Sequence, residues 1–119
     1  EVFALNDREA LVIIRTWCAA YNCDFAVYRV DRQAPYSERD LQLEPAPLGL
    51  GALSGWVSYN PDTGELGYLY KGRGIADCGE SGRWRFDGER FQLASLSFLG
   101  RCAARSPGEW PELWRVVEQ

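Results

Sequence analysis

The chain has 119 residues, of which 46% are hydrophobic and 25% charged, and its formal net charge is −4 at pH 7. This length predicts a single domain over residues 1–119, and the composition excludes a disordered chain. The acidic balance argues against a nucleic-acid binder. Since no apolar run approaches the roughly 18 residues of a membrane helix, we predict no membrane insertion.

The first quarter of the chain contains two apolar segments, ALVIIRTWC (10–18) and DFAVYRV (24–30), separated by a short turn. Their β-branched and aromatic residues favour two strands. A helix over residues 6–21 is the alternative, because Asn6 and Glu9 have capping-box spacing and apolar residues recur on one helical face. The following segment, Asp31 to Pro47, carries three prolines and predicts a loop with a brief strand at 41–43.

The middle of the chain predicts a hairpin. WVSY (56–59) and ELGYLY (65–70) flank NPDTG, whose Pro-Asp pair and later glycine suit a type I turn that ends in a left-handed residue. Because side chains alternate along a strand, Leu66, Tyr68 and Tyr70 should share one face.

A second hairpin is predicted for RWRFDGERFQL (83–93). A two-residue turn at Asp87 and Gly88 would place Trp84 opposite Phe91 and Arg85 opposite Arg90. Arginines 83, 85 and 90 would then gather on one face, where opposed like charges are mildly unfavourable. Either that face binds an anion or an acidic partner, or its arginines are solvated; we favour the second interpretation.

The C-terminal segment SPGEWPELWRVVEQ predicts a turn of helix around residues 107–113, which Pro111 ends, followed by a terminal strand at LWRVV. Taken together, the elements predict a mainly β fold: a small antiparallel β-sheet domain, sandwich or barrel-like, with short helical turns and disulfide ties.

Four cysteines, at positions 18, 23, 78 and 102, occur in a chain without histidine. The absence of CxxC pairs and of histidine argues against zinc, so structural disulfides and an oxidising compartment are predicted. Three pairings are open. Cys18 and Cys23 flank a turn-sized spacer and Cys78 and Cys102 flank the second hairpin, so we favour these two pairs.

Motifs for catalysis are sparse. Without histidine, a serine or cysteine nucleophile would depend on Lys71, the single lysine, or on a carboxylate as its base. The GRG at 72–74 lacks the remaining residues of a nucleotide loop. Two acidic groupings lack the pattern of a calcium loop and are interpreted as turns: Asn60, Asp62 and Glu65, and Asp77 with Glu80. No catalytic, cofactor-binding or metal site is therefore predicted, and no cofactor.

The five tryptophans are expected mostly to fill the core, with each buried indole N–H bonded to an acceptor. The alternative is an exposed pair, Trp110 and Trp114 beside Pro111, that forms an apolar patch for a glycan or a protein.

Several motifs occur in a characteristic order: C-A-A-Y-N at 18–22, K-G-R-G-I-A-D-C-G at 71–79, W-R-F-D-G-E-R-F-Q-L at 84–93, and G-R-C with E-W-P-E-L-W near the end. Together they resemble the C-terminal part of a bacterial family known as domain of unknown function 1176. The resemblance implies a periplasmic or extracellular setting and a longer exported protein of which this chain is the C-terminal portion. Cys18, Cys78 and Cys102 match family cysteines, whereas Cys23 is not placed by the resemblance. No activity is implied.

The resulting hypothesis is a non-enzymatic cell-envelope domain that binds another protein as an inhibitor or an assembly module. The alternatives are a carbohydrate- or peptidoglycan-binding module that uses exposed tryptophans, and a histidine-free hydrolase. The expected partner is thus an envelope protein or a cell-wall glycan. The candidate binding residues are Arg73, Asp77, Glu80, Arg83, Arg85, Arg90, Trp110 and Trp114.

Overall fold

The described part of the chain contains ten short strands and one 3-10 turn. The computed structural model describes residues 1–41, 43–44, 53–73, 75–103 and 105–116. The elements are β1 (Val2–Ala4), β2 (Glu9–Cys18), β3 (Cys23–Asp31), β4 (Glu38–Asp40), β5 (Leu43–Glu44), β6 (Leu53–Asn60), β7 (Glu65–Lys71), β8 (Gly79–Phe86), β9 (Phe91–Leu99), the turn η1 (Pro107–Glu109) and β10 (Glu112–Arg115).

The strands form one open sheet in the order β1-β2-β3-β6-β7-β8-β9-β10, with β4 added to β3 and β5 added to β9. Its pairings are antiparallel except that of β5 with β9. The prediction of a mainly β, antiparallel, disulfide-tied fold is confirmed.

The sheet folds over on itself at β3. The start of β3 (Cys23–Phe25) pairs with β6, whereas its later part (Tyr28–Val30) pairs with β4. The first leaf, β1 to β4, therefore packs against the second leaf, β6 to β10. The buried core contains residues from both leaves: Leu11, Ile13, Val27, Leu66, Tyr68, Trp84 and Phe91.

The strand interpretation of residues 10–18 and 24–30 is confirmed, and the helical alternative is wrong. Asn6 uses its capping chemistry in a turn between β1 and β2: its Oδ1 accepts hydrogen bonds from the backbone N–H groups of Arg8 (2.9 Å) and Glu9 (2.7 Å). Burial along β2 alternates from Glu9 to Ile13 with period two, as a half-buried strand requires.

The loop predicted over residues 31–47 contains two short strands, β4 and β5. Residues 42 and 45–47 of that prediction lie outside the described residues. The predicted hairpin at 56–70 is confirmed: Gly64 has φ +71° and its N–H bonds the carbonyl of Asn60 at 2.8 Å. Of the three residues predicted to share one face, Leu66 and Tyr68 are buried, while Tyr70 near the end of β7 is 37% exposed.

The hairpin at 83–93 forms, but its predicted register is wrong. The connection has four residues, Asp87 to Arg90, so Trp84 pairs with Leu93 and not with Phe91. The reason is the Asp87 carboxylate, whose Oδ1 accepts the backbone N–H groups of Glu89 (2.8 Å) and Arg90 (2.9 Å) and closes a wider turn. Bonding to these two amides, Arg90 first, lowers the pKa of Asp87.

A buried ion cluster fixes this turn to the first leaf. The Arg29 guanidinium donates to both carboxylate oxygens of Glu9, at 3.0 and 2.6 Å, and to the carbonyl of Glu89 at 2.6 Å. Arg39 also pairs with Glu9. Burial raises the pKa of Glu9, but the hydrogen bond from Arg29 and the charges of both arginines overcome this effect and leave the pKa below its usual 4.5.

The C-terminal helical turn is shorter than the predicted 107–113, since η1 ends at Glu109 and Pro111 leads directly into β10. The terminal strand is confirmed for residues 113–115, and Val117 of that prediction lies outside the described residues. In the part of the chain that the structure describes, no helix has the length and apolarity that crossing a bilayer requires.

The tryptophans do not mostly fill the core, so that prediction is wrong. Trp84 and Trp110 are buried, whereas Trp17, Trp56 and Trp114 are 64%, 44% and 45% exposed. The Trp110 indole N–H donates to the Arg105 carbonyl at 3.0 Å, while the Trp84 N–H finds no hydrogen-bond partner within the described residues. Three large aromatic side chains are therefore left to the surface.

Candidate functional site

The glycine-rich segment between β7 and β8 forms a closed loop, and we call its described residues, 72–73 and 75–78, the tied loop. Arg73 donates from Nε and Nη2 to the two carboxylate oxygens of Asp77, at 2.7 and 2.5 Å. This bonding raises the pKa of Arg73. Asp77 is 3% exposed, so these two predicted binding residues are brought together and engage each other.

Two disulfides are present, Cys18–Cys23 and Cys78–Cys102, as the spacing favoured. Cys78 closes the tied loop at its second end, where the N–H of Gly72 bonds its carbonyl at 2.9 Å. The following Gly79 has φ +143°, and a Cβ there would lie 1.9 Å from the carbonyl oxygen of Tyr70. The D-C-G motif therefore needs glycine because the backbone of β7 approaches this position too closely for a side chain.

One cluster of acidic and sulfur ligands lies at the tied loop among the described residues, but it is not arranged to hold a metal ion. Asp77, Cys78 and Cys102 have ligand atoms within 4.8 Å of one another. The two sulfurs are bonded to each other, and thiolates are what a metal would need. Asp77 is held by Arg73, so the cluster is a structural junction.

Glu80 is 4% exposed and lies on the inner face of β8, so its prediction as a surface contact is wrong. The same strand alternation turns Arg83 and Arg85 outward. The four-residue turn separates Arg90 from Arg85, which instead faces Gln92, so the predicted opposition of two arginines does not occur.

An open groove lies on the outer face of the second leaf, with a volume of about 830 Å³. Its residues belong to two cross-strand rows and to the segment around η1. The first row runs Trp56, Leu69, Ser81, Ser97, Glu112, each residue paired with the next. Strands lie about 4.8 Å apart, so five strands give the groove a length of about 19 Å.

The second row runs beside the first and consists of Ser58, Gly67, Arg83, Ser95 and Arg115. Four serines and one glycine in the two rows leave the middle of the sheet without large side chains, so the floor is depressed between taller walls. The hydroxyl groups and the backbone of these strands are therefore exposed at the floor of the groove.

Charged side chains at the groove are held in pairs. Arg83 donates from Nε to Ser95 Oγ at 3.0 Å, and its Nη1 lies 3.6 Å from Glu65 Oε1. Arg115 Nε lies 2.7 Å from Glu112 Oε1. Both arginine side chains are more than half exposed, so each guanidinium retains N–H donors for a ligand.

Trp56 forms the wall at one end. Its indole N–H donates to the carbonyl of Tyr21 at 3.2 Å, and the Lys71 ammonium lies 5.2 Å from its ring centroid. The Asn22 side chain donates to the carbonyl of Lys71 (2.8 Å) and accepts from its N–H (2.9 Å). The A-Y-N motif therefore docks the Cys18–Cys23 turn onto β7 and holds Trp56 in place.

The segment around η1 also lines the groove, through Pro107, Gly108 and Trp110. Trp110 is 4% exposed, which contradicts its prediction as half of an exposed pair, while Trp114 remains accessible. Trp110 is buried because η1 folds it over Gly79, where a Cβ would lie 3.1 Å from its ring.

Sequence reasoning missed Trp56 and the serine floor. The signal was small: Ser58 lies in a predicted strand, but Ser81, Ser95 and Ser97 lie just outside the predicted hairpin at 83–93 and joined β8 and β9 only in the structure. Their meeting on one face depends on the register across four strands, and the hairpin turn that sets part of this register was predicted two residues too short.

The chain resembles known proteins over nearly its whole length. The model of the family described as "Protein of unknown function (DUF1176)" matches residues 1–117. The chain is similar to "Uncharacterized protein YpfG" of Escherichia coli (strain K12), with 35% identity over 119 residues. The alignment covers 95% of this chain and 34% of that protein, so the chain spans about a third of this curated relative. No solved structure matches significantly. The chain belongs to the DUF1176 family of proteins of unknown function.

Proposed function

We propose that the chain is a non-enzymatic binding domain of the bacterial cell envelope, and that its groove binds a cell-wall glycan. The observation that carries this proposal is the groove, which is about 19 Å long because it crosses five strands. Its floor carries serines and one end has an accessible tryptophan. A periplasmic or extracellular location is part of the proposal, since two disulfides favour an oxidising compartment.

The chemistry of the lining fits sugars. A pyranose ring has an apolar face of C–H groups, which stacks on an indole, and a rim of hydroxyls that both donate and accept hydrogen bonds. Trp56 supplies the indole, and serine hydroxyls both donate and accept. Arg83 adds fixed donors and Glu112 fixed acceptors, so the groove has partners for every type of sugar polar group.

Binding, and not hydrolysis, is what the charges support. Glu65 and Glu112 are each paired with an arginine, Arg83 and Arg115. A histidine-free hydrolase would need one carboxyl group kept neutral as a proton donor. Salt-bridged carboxylates position a ligand and do not protonate one.

The test is retention on insoluble peptidoglycan and titration with an N-acetylglucosamine hexamer. The wild-type chain should bind both, and Trp56→Ala should weaken binding at least about tenfold, since stacking on an aromatic side chain contributes about 1–3 kcal/mol in comparable ring contacts. Trp17→Ala is the matched control, because Trp17 is also exposed but does not line the groove. Failure of the wild-type chain to bind either probe would refute the proposal.

A protein partner is the second candidate, and the tied loop favours it. Ile75 is 73% exposed within a loop that the Arg73–Asp77 pair and the Cys78–Cys102 bond hold fixed. A fixed loop with an apolar side chain loses little entropy on entering a pocket. Envelope extract should then yield a stoichiometric protein that Ile75→Ser loses and Trp56→Ala retains; loss with Trp56→Ala alone would favour the groove.

A further inference from the structure

The edge strand β10 exposes apolar side chains. It is the last strand in the sheet order, with β9 on one side. Leu113 and Trp114 are 61% and 45% exposed, and the adjacent Val116 is 38% exposed. Exposed edges in natural sheets are usually protected, because an unprotected apolar edge pairs with another strand. The apolar character of β10 therefore indicates a strand partner.

The backbone of β10 has hydrogen-bonding groups directed outward at two positions. Phe98 N–H donates to the Pro111 carbonyl at 3.0 Å, and Val116 N–H donates to the Ala94 carbonyl at 2.8 Å. Residues 111 and 116 therefore face β9. Since backbone groups alternate in an antiparallel pair, the neighbouring Glu112 and Arg115 direct their N–H and C=O groups away from β9, to an edge that no other described strand covers.

The side chains of these two residues lie on the same side of the strand. A register irregularity between Glu112 and Trp114 interrupts the alternation. As a result Arg115 Nε reaches Glu112 Oε1 at 2.7 Å, and both side chains line the groove.

The sequence of β10, E-L-W-R, is complementary to itself when two copies run antiparallel. Glu112 then lies opposite Arg115 of the second copy, and Leu113 lies opposite Trp114 of the second copy. Opposite charges and aromatic–aliphatic pairs are the cross-strand neighbours that stabilise a sheet. Both outward backbone positions, 112 and 115, meet each other in this register.

We propose that two copies of this chain pair through β10 about a twofold axis between Leu113 and Trp114. The interface is isologous, so each favourable pair occurs twice. The charge complementarity and the outward backbone groups favour a second copy, because one antiparallel register then matches both charges and both outward backbone positions.

This pairing joins the two binding faces. Arg115 ends one row of the groove, and beside it the second copy contributes Glu112, the end of its own first row. The two grooves then lie on one continuous sheet and can engage one polymer together, which raises the apparent affinity for a long glycan. The self-association does not rest on the glycan proposal.

Analytical ultracentrifugation over a range of concentrations tests the pairing with Glu112→Arg and Arg115→Glu. The wild-type chain should dimerise reversibly. Each single variant carries the same charge at both positions, so its dimer should weaken at least about tenfold. An equimolar mixture of the two variants should associate as a heterodimer, because one has arginine and the other glutamate at both positions.

The mixture distinguishes charge pairing from misfolding. As a second readout, amide exchange at Glu112 and Arg115 should slow as the wild-type concentration rises, and the double variant Glu112→Arg with Arg115→Glu should dimerise again. A wild-type chain that stays monomeric, or amides at 112 and 115 whose exchange is independent of concentration, would overturn the proposal. Single variants that dimerise like the wild type would also overturn it.

Discussion

The tied loop and the groove use polar residues in opposite ways. In the tied loop, Asp77 is 3% exposed and both its oxygens are taken by Arg73. In the groove, the Arg83 side chain is 51% exposed and stands above a floor of small hydroxyl-bearing residues. The loop is rich in glycine and charge, yet its Arg73 and Asp77 bind each other and stabilise the loop itself. Charge density along a sequence therefore indicates binding less reliably than exposure on a rigid face.

If internal charge pairs serve structure, the buried cluster around Glu9 should give the largest loss of stability. In Glu9→Gln the buried Arg29 guanidinium keeps its positive charge but loses the negative charge that balances it. Breaking a buried pair costs about 3–5 kcal/mol. Urea unfolding at pH 7 measures this loss. A loss below about 1 kcal/mol would contradict the assignment.

The same cluster gives a pH dependence. Because the pKa of Glu9 in the folded chain lies below its usual 4.5, its contribution to stability is fully present above about pH 4.5. It is lost as the pH falls through the lowered pKa. The difference in unfolding free energy between wild type and Glu9→Gln should therefore shrink below pH 4.5; a constant difference would contradict this.

The disulfide of the tied loop should contribute next. Replacing Cys78 and Cys102 by serine releases a separation of 24 residues and should cost about 3.5 kcal/mol by chain entropy. Replacing Cys18 and Cys23, separated by 5 residues, is the matched comparison and should cost about 2 kcal/mol. Thermal or urea unfolding measures both, and the reverse ranking would refute the entropic explanation.

Within the tied loop, Asp77→Asn should have a smaller effect on stability and none on glycan binding. It removes a charge-assisted, two-bonded pair with Arg73, which corresponds to about 2 kcal/mol. Urea unfolding and hexamer titration, made on the same sample, check the two halves of this prediction. Loss of glycan binding with a fully folded protein would move the site toward the loop.

The smallest effect on stability is expected at the groove floor. Ser81→Phe places an aromatic side chain, which strands favour, between Leu69 and Ser97, and should change stability by about 0.5 kcal/mol or less. It should nevertheless fill the groove and abolish hexamer binding. A stable variant that binds normally would show that the ligand lies elsewhere.

The sequence predicted β2, β3, β6 and β7, the two hairpins and the favoured cysteine pairing, because these depend on local signals: β-branched runs, turn residues and spacing. It failed where long-range contacts decide. Arg29 reaches Glu89 across 60 residues and, with Asp87, selects the wider turn that alternation alone does not reveal. The alternative that puts Trp110 in an exposed pair is wrong, because η1 folds it over Gly79, and no local signal in the sequence shows this contact.

The groove depended on the same long-range information. Trp56 and Ser97 are far apart in the chain and become members of one row only through three successive pairings. Only Ser58 fell in a predicted strand, and the face that the four serines form together required the full length of β8 and β9 and the register of β6 to β9. Exposure of Trp56 also depends on Asn22, whose bonds to Lys71 place the Cys18–Cys23 turn beside it.

The most direct test of the central claim is an NMR titration of the 15N-labelled chain with the N-acetylglucosamine hexamer. We expect chemical-shift changes confined to the two groove rows, with the Trp56 indole N–H among the largest, and unchanged signals for residues 72–78. Changes centred on the tied loop, or no saturable change anywhere, would contradict the account.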